Sequence, residues 1–244
     1  MTSWSGLNTA YFTEDKDDHI YNALVKSIVE HQLLPGSKLP EEALAEVFSV
    51  SRTGIRRVLQ RLAAVQLVTI LPKRGAPVTT PDAEESRAVF ATRKILDCAN
   101  LPLVIARCQS THLVAMKKLV QEEKRAHEAR DGAAAIRLSA AFHVQLQAIS
   151  GNRVLTESVS QLTLRSSLAI AAWGAPWQQG CRCHDHDDLL ELLKKRDIAA
   201  LTESMAHHFD SIVASLRFEQ NNGQMPDFAQ IFASQRAVNA QEKC

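Results

Sequence analysis

Residues 20–78 read IYNALVKSIVEHQLLPGSKLPEEALAEVFSVSRTGIRRVLQRLAAVQLVTILPKRGAPV, and the period of the apolar positions changes along them. Ile20, Leu24 and Ile28 recur at helical spacing, which predicts a first helix from about His19 to Gln32. Leu34-Pro35-Gly36-Ser37 is a turn, because proline and glycine interrupt a helix. A short helix over 41–48 directs Leu44 and Val47 inward, and Ser51 is a good N-cap for a third helix over 52–64. Ile55, Val58, Leu59 and Leu62 form the apolar face of that third helix. The period then shortens. Leu67-Val68-Thr69-Ile70-Leu71 is rich in β-branched residues, Pro72-Lys73-Arg74-Gly75 turns the chain, and Ala76-Pro77-Val78-Thr79-Thr80 is extended again. Three short helices followed by a two-stranded hairpin is the order of a winged helix-turn-helix.

Downstream of Pro81 the sequence carries no strand signal. Helical patterns run over 84–109, 111–130, 132–149, 153–172, 186–196 and 198–220, with breaks at Gly132, Gly151-Asn152, Gly174-Ala175-Pro176 and Gly180. Pro102 is expected to kink or interrupt the first of these. The fold class expected is therefore mainly α: an N-terminal winged helix-turn-helix (three helices plus a two-stranded β wing) followed by an all-α antiparallel helical bundle. The domain reading is a flexible tail over 1–18, a DNA-binding domain over 19–80, a helical effector-binding domain over 82–222 and a C-terminal tail over 223–244.

Composition is compatible with this. The chain of 244 residues is 45% hydrophobic, 23% charged and 5% aromatic, an ordinary globular mixture that leans towards helix. Its five cysteines, Cys98, Cys108, Cys181, Cys183 and Cys244, are odd in number and do not form a disulfide framework; free thiols in a reducing compartment are the simpler reading. The N-terminus lacks the basic and apolar regions of a signal peptide, and no stretch approaches the ~18 apolar residues of a membrane span. A cytoplasmic protein with no membrane partner is expected.

The formal net charge is only +1, so any affinity for nucleic acid must be local. Between Ser49 and Gly75 it is: Arg52, Arg56, Arg57, Arg61, Lys73 and Arg74 occur with no Asp or Glu among them. Arg52 and Arg56 share a face at the N-terminal end of the third helix, where a recognition helix meets base edges. Arginine there can fork onto guanine or bridge phosphates, whereas a merely solubilising set of arginines would not collect on one helix and one turn.

The landmarks Leu34-Pro35-Gly36, Leu39-Pro40-Glu41, Leu44-Ala45, Val50-Ser51-Arg52-Thr53, Val58-Leu59-Gln60-Arg61-Leu62, Leu67-Val68 and Arg74-Gly75 span residues 20–78 in order. In these the domain resembles the DNA-binding domain of GntR-type regulators. The resemblance implies that Arg52, Thr53 and Arg56 contact an operator, joined by Arg57, Lys73 and Arg74, and that Gly75 lets the wing tip approach the minor groove. Family members usually carry Pro where this chain has Gly54, and often Arg where it has Glu42.

The C-terminal part resembles the FCD effector domain of the FadR branch, on Arg93-x-x-x-Asp97, Phe142-His143, Gly151-Asn152, Asp185-His186, Asp197, Met205 and His208. That resemblance implies a metal in the bundle core held by a carboxylate and three histidines. His143, His186 and His208 match the histidines, but Ser139 stands at the carboxylate position. Three imidazoles can still hold a divalent ion, Zn or Ni, with an open position. The alternative is that they are polar core or surface histidines with no ion. Cys181-Arg182-Cys183-His184-Asp185-His186 has soft-metal ligands but not the spacing of a zinc knuckle. Effectors in this branch are usually small carboxylates, for which Arg93, Ser139, Asn152 and Arg165 are candidate contacts. An intrahelical Arg93–Asp97 pair, a surface Arg165 and a helix-capping Asn152 are the competing readings.

The expected function is a DNA-binding transcription regulator, a repressor in the commoner case. It would bind double-stranded operator DNA as a homodimer and respond to a small-molecule effector. Two other functional classes compete with this one. A metal-dependent enzyme using the three histidines lacks any general-base or nucleophile motif, with no His-Glu-x-x-His and no Gly-x-Ser-x-Gly in the chain. An architectural DNA-binding protein has no use for the large second domain.

Overall fold

The computed structural model describes residues 16–71, 75–174 and 183–218. The chain divides into two compact units, with the boundary between Thr80 and Pro81.

In the first unit α1 (Lys16–Val29), α2 (Glu41–Phe48) and α3 (Arg52–Ala64) form the helical core. Ile20, Leu24, Val25 and Ile28 of α1 are buried with Ile55, Val58, Leu59 and Leu62 of α3, as their three- and four-residue spacing requires. Ser51 caps α3, its Oγ accepting from Gly54 N at 3.1 Å. Two sequence expectations need correction. The acidic run assigned to a loose tail instead opens α1, which begins at Lys16 rather than at His19 and carries Asp17 and Asp18 in its first turn. The wing is also narrower and broader at once than a plain two-stranded hairpin. It is held by isolated antiparallel bridges, Val68 with Val78 and Leu71 with Gly75, and a third segment joins through Lys38 and Pro77. Leu39 N donates to Ala76 O and Val78 N to Ser37 O, so residues 37–39 form the far edge. Gly75 has φ +82°, a left-handed conformation natural to glycine at this turn.

The second unit contains α4 (Ala83–Arg107), α5 (Ser110–Glu128), α6 (Gly132–Ala148), α7 (Arg153–Trp173), α8 (Cys183–Lys195) and α9 (Ile198–Ser215). Four start on an Asx cap: Asp82, Asp131, Asn152 and Asp197 each accept from the backbone N–H three residues on. α4 runs unbroken through Pro102, contrary to an interruption there, and α9 ends five residues short of the expected 220. The core includes Phe90, Leu101, Val104, Met116, Leu119, Phe142, Leu146, Leu189, Leu193, Met205 and Phe209. Arg196, at φ +57°, donates to Ile105 O and Cys108 O and so satisfies carbonyls at the C-terminal end of α4. A polar layer lies inside this apolar shell, and the candidate site is built from it.

Candidate functional site

On the first unit, Arg52, Thr53, Arg56 and Arg57 are all exposed on α3, on the side opposite its apolar face. Each arginine of the helix faces an acid. Arg52 Nη1 is 2.8 Å from Glu42, and Arg56 lies on Glu41 through Nε and Nη2 at 3.1 and 2.8 Å. Arg57 meets Asp17 at 2.9 Å, and Arg61 meets Asp18 at 2.7 Å while its guanidinium lies 4.6 Å over the Tyr21 ring. The hydrogen bond from Arg56 holds the Glu41 carboxyl below its usual range. The acid-free window in the sequence is thus flanked in space by carboxylates from α1 and α2. Exposed pairs of this kind are worth ~0–1 kcal/mol, so phosphate groups can displace them. Lys73 and Arg74 lie outside the described residues.

On the second unit, the structure brings His143 of α6, His186 of α8 and His208 of α9 together. All three are buried, and a nitrogen from each falls within 4.8 Å of the others. His143 Nε2 and His208 Nε2 are 3.1 Å apart, and His186 Nε2 is buried with no hydrogen-bond partner. Two nitrogens bound tetrahedrally at ~2.0–2.1 Å to one ion stand roughly 3.4 Å apart, so the His143–His208 spacing suits a shared ion. Burial, reinforced by the charge of Arg93, pushes His143 well below its ordinary pKa, leaving the neutral imidazole that a metal requires. The donor set and the orphaned His186 Nε2 therefore fit a divalent ion.

The outward nitrogens of the same rings face carboxylates. His186 Nδ1 is 2.7 Å from Glu123 Oε2, His208 Nδ1 is 3.4 Å from Asp185 Oδ2, and His143 Nδ1 is 3.8 Å from Asp97 Oδ2. Phe142 stacks on His186 with ring centroids 4.1 Å apart and planes 18° from parallel. Burial raises Asp97 to about 6 against the opposing pull of Arg93, which donates to it from Nη2 at 3.3 Å.

Beside His143 is a cavity of about 30 Å³. Arg93, Ser139, His143, Thr163, Ser166 and Ser167 line it together with Phe90, Ile136, Ile170 and Ile212. Arg93 Nη1 donates to Ser166 Oγ at 3.3 Å, and its guanidinium lies 4.8 Å from the Phe209 ring centroid. Of the four effector candidates, Arg93 and Ser139 reach this cavity; the other two do not. Asn152 is exposed and accepts from Leu155 N as the cap of α7, and Arg165 is taken up by Glu85 at 2.7 Å. Side chains at Cys181 and Cys183 lie outside the described residues. Sequence reading missed Glu123, although the signal was present. Met116, Leu119, Val120 and Glu123 follow one apolar stripe, so a carboxylate occupies a core position of α5.

Residues 16–78 match the profile described as bacterial regulatory proteins, gntR family, and residues 88–211 match the FCD domain. The chain belongs to the GntR family, with an FCD second domain. Its relatives include the uncharacterized HTH-type transcriptional regulator YdhC of Bacillus subtilis, 27% identical over 192 residues that cover 78% of this chain and 86% of the relative. Another is the HTH-type transcriptional repressor RspR of Escherichia coli, 23% identical over 218 residues, or 89% and 94% of the two chains. Among solved structures, E. coli McbR/YncC superposes with a TM-score of 0.73 at 20% identity, covering 83% of this chain and 97% of that one. A GntR regulator from Rhodococcus sp. RHA1 gives a TM-score of 0.73 at 17% identity, with 82% and 96% covered. At these identities the structures establish the shared fold. This GntR-family protein is a DNA-binding transcription regulator with an effector-binding domain, and nothing in its relatives supports the enzyme alternative. Among the described residues no helix is long and apolar enough to cross a membrane.

Proposed function

We propose that this regulator is a repressor controlled by a small carboxylate, which binds beside a divalent ion held by His143, His186 and His208. The observation that carries the reading is that three buried imidazoles converge and that one of them, His143, also lines a cavity with Arg93 and Ser139. When bound, the ion supplies an electrophilic anchor for an anionic effector. Arg93 supplies the fixed positive charge that a buried carboxylate needs, and Ser139, Thr163, Ser166 and Ser167 supply hydroxyl contacts. Ser139 leaves room where a protein carboxylate would otherwise sit, so the effector's own carboxylate takes that place. A cavity of about 30 Å³ holds little more than water. Any larger ligand must move α4, α6 or α7, and such a rearrangement gives it differential affinity for two states.

For DNA, we place Arg52, Thr53 and Arg56 at base edges. Arg57, Lys73 and Arg74 face phosphates, and Gly75 sits at the wing tip. One recognition helix reads few base pairs, so a two-fold homodimer on a palindromic operator follows. The repressor sense is supported by the likeness to RspR, an HTH-type transcriptional repressor. The test is elemental analysis of protein purified without chelator, followed by calorimetric titration with short mono-, di- and tricarboxylates before and after metal stripping. One ion per chain, and carboxylate binding that disappears on stripping, support the reading. Metal-free protein that also ignores added Zn and Ni refutes it.

A further inference from the structure

The structure assigns to Glu123 of α5 a positioning role: it sets His186 for metal ligation and brings the buried negative charge that Ser139 does not. This rests on the three-histidine reading above and concerns a residue outside the ligand set.

Glu123 is wholly buried on a helix face that otherwise presents Met116, Leu119, Val120 and Ala126. A carboxylate in such a place is costly unless it is paired. Its hydrogen-bond partner here is His186, Nδ1 lying 2.7 Å from Oε2, while Oε1 is buried without a hydrogen bond, 4.0 Å from His127 Nε2. A carboxylate can only accept, so Nδ1 of His186 carries the proton and the lone pair is left on Nε2. That is the nitrogen lacking a partner, on a ring that offers one nitrogen within 4.8 Å of a nitrogen of each of the other two imidazoles. Phe142 stacked on the ring closes off rotation about the same axis. The imidazole is therefore held in one tautomer and one orientation, the arrangement by which outer carboxylates tune histidine ligands.

The charge balance points the same way. Neutral imidazoles and a serine hydroxyl add no charge to a divalent ion. Asp97 is engaged by Arg93 at 3.3 Å, and Asp185 is one-third exposed and 3.4 Å from His208. Glu123 is the fully buried carboxylate at hydrogen-bond distance from a ligand histidine.

The experiment compares wild type, Glu123→Gln, Glu123→Asp and His143→Ala. Zn affinity is measured by competition with a chromophoric chelator, and the imidazole tautomers of the metal-free wild type by long-range 1H–15N correlation. Glutamine keeps the volume and can still accept from Nδ1, so the fold is retained while the charge is lost. We expect Glu123→Gln to bind Zn 10–100-fold more weakly, Glu123→Asp to recover part of the loss, and His186 to show the Nδ1–H tautomer in the wild type. Wild-type Zn affinity in Glu123→Gln overturns the proposal, as does an Nε2–H tautomer at His186; the tautomer result needs no variant to fold. Wild-type protein that takes up no Zn, with His143→Ala indistinguishable from it, removes the three-histidine reading as well, which separates the two failures.

Discussion

Arg56 of α3 lies on Glu41 of α2 through two hydrogen bonds, Nε to Oε1 at 3.1 Å and Nη2 to Oε2 at 2.8 Å. On the reading proposed above, α3 is the recognition helix, and operator DNA would have to replace the carboxylates of α1 and α2 that its arginines meet. Replacing Arg52 or Arg56 with Ala is expected to cost roughly 1–3 kcal/mol of operator binding. Glu42→Gln releases Arg52 for its base-edge contact and is expected to tighten binding up to several-fold with little change in the salt slope. Fluorescence anisotropy across a salt series reads both effects. Arginine variants that bind like wild type would sink the assignment of α3.

Gly54 sits in the first turn of α3 with ordinary space around it. A Cβ there meets Ser51 Oγ at 3.6 Å, Asp17 Oδ1 at 3.7 Å and Val50 Cβ at 3.9 Å. Its N–H, which Ser51 caps, survives replacement by alanine. Gly54→Ala should stabilise the DNA-binding unit by about 0.5–1 kcal/mol, through the lower backbone entropy of alanine in the unfolded chain. Urea unfolding of the two proteins decides it, and a lower midpoint for the variant contradicts the reading.

Ser139 lines the cavity on the same helix as His143, one turn earlier. Ser139→Asp places a carboxylate beside the imidazoles and should raise Zn affinity at least ~10-fold, equivalent to about 1.4 kcal/mol. It should also weaken the response to added carboxylates, since the position they are proposed to fill is then occupied. Chelator competition and calorimetry measure the two halves separately. Unchanged Zn affinity would place Ser139 outside the coordination sphere.

The two arginines proposed from sequence now have different expectations. Arg165 is paired with Glu85 away from the cavity, so Arg165→Ala should leave carboxylate binding within twofold of wild type. Removing Arg93 alone strands Asp97 and is expected to destabilise the fold by roughly 3–5 kcal/mol. Arg93→Met combined with Asp97→Asn keeps the buried charge balanced. That double variant should remain folded and lose carboxylate binding; retained binding would assign the anion site elsewhere.

Helix content and order were legible because burial imposes a period. Ile20, Leu24 and Ile28, or Ile55, Val58, Leu59 and Leu62, announce a face before anything packs on it. The edge segment at 37–39 was not legible, because three residues between Gly36 and Pro40 are too few to show alternation. Pairs such as Arg57 with Asp17, or Arg165 with Glu85, join residues 40 and 80 positions apart, and no local window contains both partners. Asn152 shows the reverse case. Its capping chemistry is entirely local, and the local reading describes it better than the functional one. Glu123 lay between these cases. Its place on the stripe was readable, but only the arrival of His186 from α8 gives a carboxylate there a purpose.

His143, His186 and His208 belong to α6, α8 and α9, and the residues behind them, Glu123 and Asp97, to α5 and α4. An ion at their centre would staple helices otherwise held together by the apolar core. Its binding would then be felt as slowed breathing rather than as a new shape. Amide exchange in α8 and α9 would become coupled, so that α8 could no longer peel away without opening α9 as well.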